Sequence, residues 1–352
     1  MEMFLYFTVS CFVAVVAKQD NMNVLLILTD DLRPEISVYG RRTITPNFER
    51  LAARGIVFDF AYSQAPVCHP SRHSFLTGSR PDALNIVTFG DLTNVPWYDN
   101  IFTVLSRHNY RGLGIGKLFH NAKFDDKSMF PDDRWDGNWY TYQNNEEGVL
   151  NSTTTPDSER PESWFRDYLI ATKAIDGLNE FYNNYSRPES VVSNPWLLSV
   201  GFKQPHTWYH LPQKYFNLYR DSPIFRELDD EDNVYPKTTP TIGYRCCATM
   251  DMTLMENEGK VKSNKIEHLR DVMKISRQGR KELLWGYLGG VSFMDSQMGR
   301  LFDELDRLDL WKTTIVIMTS DHGMHVGEKV FSPLFLIVLG LLTVIYRCVL
   351  YY

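Results

Sequence analysis

The sequence predicts an α/β fold, a mainly parallel sheet flanked by helices, on three observations. Residues 23–29 form a continuous apolar run of Val, Leu and Ile bounded by polar residues, as expected of a strand buried on both faces. Residues 313–319 have the same character near the far end of the chain. Between these two runs, short apolar segments alternate with amphipathic ones, the pattern of strand–helix–strand crossovers.

Taken in order, residues 56–62, 111–116 and 196–202 read as further strands, and residues 46–54 and 101–108 as crossover helices. After Cys68, Pro70 suits the first turn of a helix, residues 71–76 continue it, and Thr77-Gly78 stops it. Between residues 281 and 310, Leu284, Leu288, Val291, Met294, Met298, Leu301, Leu305 and Leu308 recur at three- and four-residue steps. That spacing predicts a long amphipathic helix leading into the final strand, with core packing as its role. Residues 121–160 and 221–281 are polar and rich in turn formers, so surface excursions are expected there.

A chain of 352 residues with 43% hydrophobic content can bury a large core, enough for one large or two modest units at ~100–200 residues each. The net charge is -6 and the basic residues are scattered, which argues against nucleic acid as a partner. Residues 3–16 are apolar and Ala17 precedes Lys18, the pattern of a signal peptide over residues 1–17. The sequons Asn151-Ser152-Thr153 and Asn184-Tyr185-Ser186 agree with passage through the secretory pathway. Of five cysteines, Cys11 falls in the leader, Cys246 and Cys247 are neighbours and Cys348 lies near the end, so no disulfide scaffold is expected. Cys68 must be explained by its neighbours.

Each predicted strand is followed by polar or ionisable groups: Asp30 and Asp31, then Cys68 to Arg72, then Lys117 and His120, then Lys203 and His206, then Asp321 and His322. Ligands of open α/β sheets bind outside the carboxyl ends of the strands, so these groups are expected to share one crevice. Asp30, Asp31, Asp321 and His322 together favour a hard divalent cation, Ca2+ or Mg2+, over a thiolate-preferring metal. A helix beginning at Cys68 aims free N–H groups and positive dipole at whatever that side chain holds, which favours an oxyanion. Asp82, His69 and His73 have neither the spacing nor the context of a transition-metal site.

Cys68, Pro70, Ser71 and Arg72, followed by Leu76-Thr77-Gly78, resemble the signature of the sulfatase family. Asp30-Asp31-Leu32-Arg33-Pro34, Gly116-Lys117-Leu118-Phe119-His120, Lys203-Gln204-Pro205-His206 and Thr319-Ser320-Asp321-His322-Gly323 are similar to its iduronate-2-sulfatase branch. The resemblance implies an alkaline-phosphatase-like fold, with Cys68 converted to formylglycine by a generating enzyme. It also implies one Ca2+ held by Asp30, Asp31, Asp321, His322 and the modified Cys68. Arg72 would steady the formylglycine, Lys117 would contact sulfate, and His120 and His206 would transfer or hold protons. The implied substrate is a sulfated glycosaminoglycan, heparan or dermatan sulfate, cleaved at the 2-O-sulfate of iduronate by a lysosomal or secreted enzyme. Phosphoester or phosphonate hydrolysis on the same fold is the alternative chemistry.

The resemblance runs from about residue 23 to residue 328, giving an expected catalytic domain over 18–328 that is incomplete. Met324 and Gln204 replace a Trp and a Lys of the branch. After Glu328 neither the family's Trp-x-Lys segment nor its C-terminal subdomain follows, and an apolar tail occupies residues 329–352. Residues 330–346 carry no charge over seventeen positions, just short of the ~20 of a spanning helix. A membrane anchor, a tail from an alternative transcript and a buried helix are the readings open to it, with an inactive or tethered isoform as their consequence.

Overall fold

A computed structural model describes residues 22–87, 99–120, 154–186, 194–222, 277–324 and 326. The expected signal peptide, the first sequon, the 329–352 tail and most of the two expected surface excursions lie outside the described residues.

The central sheet holds β1 (Asn23–Thr29), β2 (Arg111–Gly116), β4 (Trp196–Gly201) and β6 (Thr314–Ser320) in the order β2-β4-β1-β6, all parallel. A second, two-stranded parallel sheet pairs β3 (Thr154–Asp157) with β5 (Tyr209–Pro212). The helices are α1 (Pro46–Ala52), α2 (Cys68–Thr77), α3 (Ile101–Arg107), α4 (Arg166–Phe181), α5 (Gln213–Asn217) and α6 (Arg277–Arg307).

Strand periodicity sorts the core into two layers. Leu25, Ile27, Leu113, Ile115, Leu198, Val200, Val316 and Met318 join the core cluster of α1, α4 and α6. Val24, Leu26, Leu28 and Leu197 point the other way, onto Leu76, Phe102, Leu118 and Phe119 from α2, α3 and the turn after β2. Every residue of β1 is buried, which is why its sequence shows no polar alternation. Each fully buried Leu or Ile contributes ~1.5–3 kcal/mol relative to exposure, and this two-faced burial is what fixes the strand ends in space.

The helix α6 is 31 residues long, begins at Arg277 and packs against α1, α4, α5 and β5. Its Asp295 carboxylate accepts the Asn47 and Phe48 amides at 3.1 and 2.9 Å, satisfying free N–H groups at the start of α1. The helix α2 begins at Cys68 itself and stops at Gly78, whose φ of 70° is the left-handed cap glycine allows.

Residues 56–62 are not a strand. No strand among the described residues pairs with them, and Ile56, Phe58, Phe60 and Tyr62 are exposed. An apolar alternation becomes a strand only where a ladder partner takes its backbone groups. The residues after β1, β2, β4 and β6 therefore follow strands as expected, whereas Cys68 to Arg72 comes from the start of a helix. Within the expected excursion of residues 121–160, β3 is ordered by its pairing with β5.

Candidate active site

Four strand ends and one helix start meet at the carboxyl edge of the central sheet. Asp30 and Asp31 follow β1, Lys117 follows β2, His206 lies in the turn after β4, and Asp321 and His322 follow β6. The helix α2 places Cys68 in their midst: its Sγ is 3.2 Å from His322 Nε2 and 3.5 Å from Asp30 Oδ1. Two glycines allow the adjacent strands β2 and β4 to turn here. Gly116 has φ of 80°, and a Cβ on Gly201 would meet Lys117 O at 2.0 Å.

Arg72 is fully buried one turn into α2. Its Nε donates to Asp321 Oδ2 at 2.9 Å and one terminal nitrogen to Asp30 Oδ1 at 3.2 Å. The same nitrogen reaches Thr29 O at 3.4 Å, and the other terminal nitrogen donates to the carbonyls of Lys117 and Leu118. The guanidinium thus ties together the ends of β1, β2 and β6. Lys117 Nζ pairs with the other oxygen of Asp30.

Electrostatics separates Asp30 from Asp31. Burial works against the Asp30 charge, but Lys117, His206 and Arg72 hold its carboxyl well below the usual range. Burial pushes Asp31 up to about 7, with Asp30 and Asp321 adding like-charge repulsion that His322 and Lys117 only partly offset. Burial also pushes the Cys68 thiol up. A cluster short of positive charge, with hard oxygen donors converging, is the chemistry of a divalent cation site. Ligand atoms of Asp30, Asp31 and Asp321 lie within 4.8 Å of one another, as do those of Asp31, Cys68 and His322 and those of Asp30, Cys68 and His206. The residues present fit the ion implied by the sequence.

The histidines differ in how they are held. His322 Nδ1 faces Gly323 O at 3.0 Å and Asp31 Oδ1 at 3.3 Å, so that nitrogen carries the proton and Nε2 is left toward Cys68. Burial opposes the His322 charge, but Asp321 and Asp31 raise its pKa overall. His206 Nδ1 bonds Thr207 O, its Nε2 stands 4.0 Å from Asp31 Oδ2, and burial lowers its pKa to about 3. His120 is half-buried with its ring 6.3 Å from that of His69, and burial lowers it to about 4. His69 and His73 are buried on α2 with rings 4.5 Å apart.

Two residues outside the expected set hold the site from behind. Asp167 is buried in the first turn of α4, and its two oxygens accept the Lys203 and Gln204 amides, each at 2.9 Å. Ser320 Oγ accepts the Leu32 amide at 3.0 Å and donates to His322 O at 2.7 Å, joining the two turns that carry the carboxylates. The apolar run before Asp321 marked Ser320 as a strand end, but nothing local marked it as a brace.

A profile of the sulfatase family matches residues 22–334. The chain belongs to the sulfatase family. A sulfatase of Formosa agariphila is 32% identical over 336 residues, covering 88% of this chain and 60% of the relative. Human iduronate 2-sulfatase is 30% identical, covering 88% of this chain and 56% of its own length. This family member thus spans little more than half the length of those relatives. The phosphonate monoester hydrolase of Agrobacterium radiobacter shares the fold with a TM-score of 0.63 at 17% identity, over 93% of this chain and 68% of its own. A 2-O glycosaminoglycan sulfatase does so with a TM-score of 0.56 at 16% identity, over 93% and 64%. The fold is accordingly alkaline-phosphatase-like, with the mainly parallel sheet at its centre.

Proposed function

We propose that this chain is the catalytic portion of a sulfuric ester hydrolase that removes the 2-O-sulfate of iduronate units in heparan or dermatan sulfate. The observation that carries the reading is Cys68 Sγ, 3.2 Å from His322 Nε2 and 3.5 Å from Asp30 Oδ1, at the start of a helix whose Arg72 anchors both Asp30 and Asp321. The sulfated sugar class is supported by the resemblance to human iduronate 2-sulfatase.

Asp30, Asp31, Asp321, His322 and position 68 would hold one Ca2+, which supplies Lewis-acid polarisation of sulfate oxygens. Conversion of Cys68 to formylglycine by a generating enzyme would supply a hydrated aldehyde in place of a buried, neutral thiol. Arg72 holds Asp30 and Asp321, so it acts on position 68 through those carboxylates. Lys117, anchored on Asp30 with its side chain 22% exposed, offers its remaining N–H donors to a sulfate oxygen. His206 is neutral with its ring proton on Nδ1, so Nε2 is an acceptor suited to take a proton from the nucleophile. His120, three residues after Lys117, would hydrogen-bond at the leaving group.

Asn184 of the second sequon is exposed, which leaves room for the glycan of a secretory or lysosomal protein. The mass spectrum of the peptide around Cys68, after expression in a secretory host, tests the nucleophile. Formylglycine there and turnover of an aryl sulfate and a 2-sulfated iduronoside, lost in Cys68→Ala, are expected. An intact thiol with turnover of a phosphonate monoester alone would overturn the reading.

A further inference from the structure

Tyr287 lies on α6, the longest helix among the described residues, which contributes none of the described carboxylate cluster. Its hydroxyl donates to Asp31 O at 2.9 Å and accepts the Arg33 amide at 2.8 Å. One oxygen therefore closes the turn on which Asp31 stands. Asp31 has φ of 66°, a left-handed conformation that costs a residue with a Cβ ~1 kcal/mol or more unless its surroundings hold it.

Among the described residues, two other side chains accept backbone amides of this turn, and both come from the strand ends themselves. Asp321 Oδ1 accepts the Asp31 amide at 3.0 Å, and Ser320 Oγ accepts the Leu32 amide at 3.0 Å. Tyr287 is the brace that reaches in from the helical layer. Its ring is fully buried, 6.4 Å from that of Tyr209, with the Arg33 guanidinium 5.4 Å from its centroid.

We propose that Tyr287 is a positioning residue for the Asp31 turn and sets the calcium affinity of the site through the backbone of residues 31–33. The proposal rests on the calcium reading above. The Asp31 carboxylate is directed by a peptide whose carbonyl oxygen is tied to the hydroxyl. Loss of that bond leaves a strained φ with one tether fewer, and the turn then samples conformations that do not aim the carboxylate at its neighbours.

Calcium titration of the purified chain by calorimetry, for the parent and Tyr287→Phe, tests this. Substitutions behind a ligand typically weaken metal affinity ~10- to 100-fold, and a loss in that range is expected. The calcium-induced rise in Tm should shrink in the same variant, and aryl-sulfate turnover should return as calcium is raised. An affinity within twofold of the parent overturns the proposal and leaves the calcium reading standing, whereas a parent that binds no calcium overturns both. Hydrogen exchange needs no substitution. In the parent the peptide spanning residues 31–33 should exchange slowly before calcium is added, and fast exchange there also overturns the proposal.

Discussion

The two sides of the site are built to different tolerances. On the β1 and β6 side, Asp30, Asp31, Asp321 and His322 are bound to one another, to Arg72, to Cys68 and to Ser320, so each of the four is held by at least two partners. On the β2 and β4 side, the Lys117 ammonium meets the cluster at Asp30, and His206 reaches it at 4.0 Å from a turn pinned by Asp167. The difference follows from chemistry. Like charges placed within a few ångströms must be forced together by surrounding donors, whereas Lys117 meets an opposite charge at Asp30 and needs no such bracing.

Breaking the tighter side should have the largest effect. Arg72→Met removes the common partner of two buried carboxylates, leaving Asp321 without its guanidinium and Asp30 with Lys117, and removing one partner of a buried ion pair typically costs ~3–5 kcal/mol. Urea unfolding in excess EDTA is the measurement. A loss under 1 kcal/mol would show that Asp30 and Asp321 are held together by something other than the guanidinium, and the comparison between the two sides would lose its basis.

The placement of the tighter side's residues was legible in the sequence, because Asp30, Asp31, Asp321 and His322 directly follow apolar runs and a parallel sheet aligns the ends of such runs. The runs of β1, β2 and β4 begin where the sequence placed them, and β6 lies one residue along from its expectation. The same reasoning misplaced residues 56–62, since periodicity reports which face is apolar and not whether a partner strand exists. Asp167 and Tyr287 could not be found this way. Their contacts span 36 and 256 positions, and a lone Asp or Tyr on an amphipathic helix carries no local sign of what it reaches.

The looser side gives a pH signature. Burial raises Asp167 to about 6 from 3.8 even though it accepts two amides. The folded state therefore binds this proton more tightly than the unfolded chain. Its contribution to stability is full below about pH 4 and is lost as pH rises through about 6. At ~1.4 kcal/mol per pKa unit the swing is bounded near ~3 kcal/mol. Asp167→Asn cannot titrate, so its stability measured against the parent should rise relative to it between pH 4 and pH 7. A constant difference across that range would show that Asp167 stays ionised and that its two amide bonds outweigh its burial.

The smallest effect is the one that separates the two sides. Asparagine keeps one acceptor for the Lys203 or Gln204 amide and turns an NH2 toward the other, so Asp167→Asn loosens the turn that carries His206 without touching a carboxylate of the cluster. Misplacing a proton acceptor by a fraction of an ångström should lower kcat ~10-fold, about 1.4 kcal/mol of transition-state stabilisation. Calcium affinity should stay within twofold of the parent, because the Asp31 turn is closed by Tyr287 and the Asp321 turn by Ser320. Tyr287→Phe should do the reverse, with weaker calcium and a kcat that recovers at saturating metal. If Asp167→Asn instead weakens calcium as much as Tyr287→Phe does, the two sides are one mechanical unit, and the looseness of the His206 turn is only apparent in the resting structure.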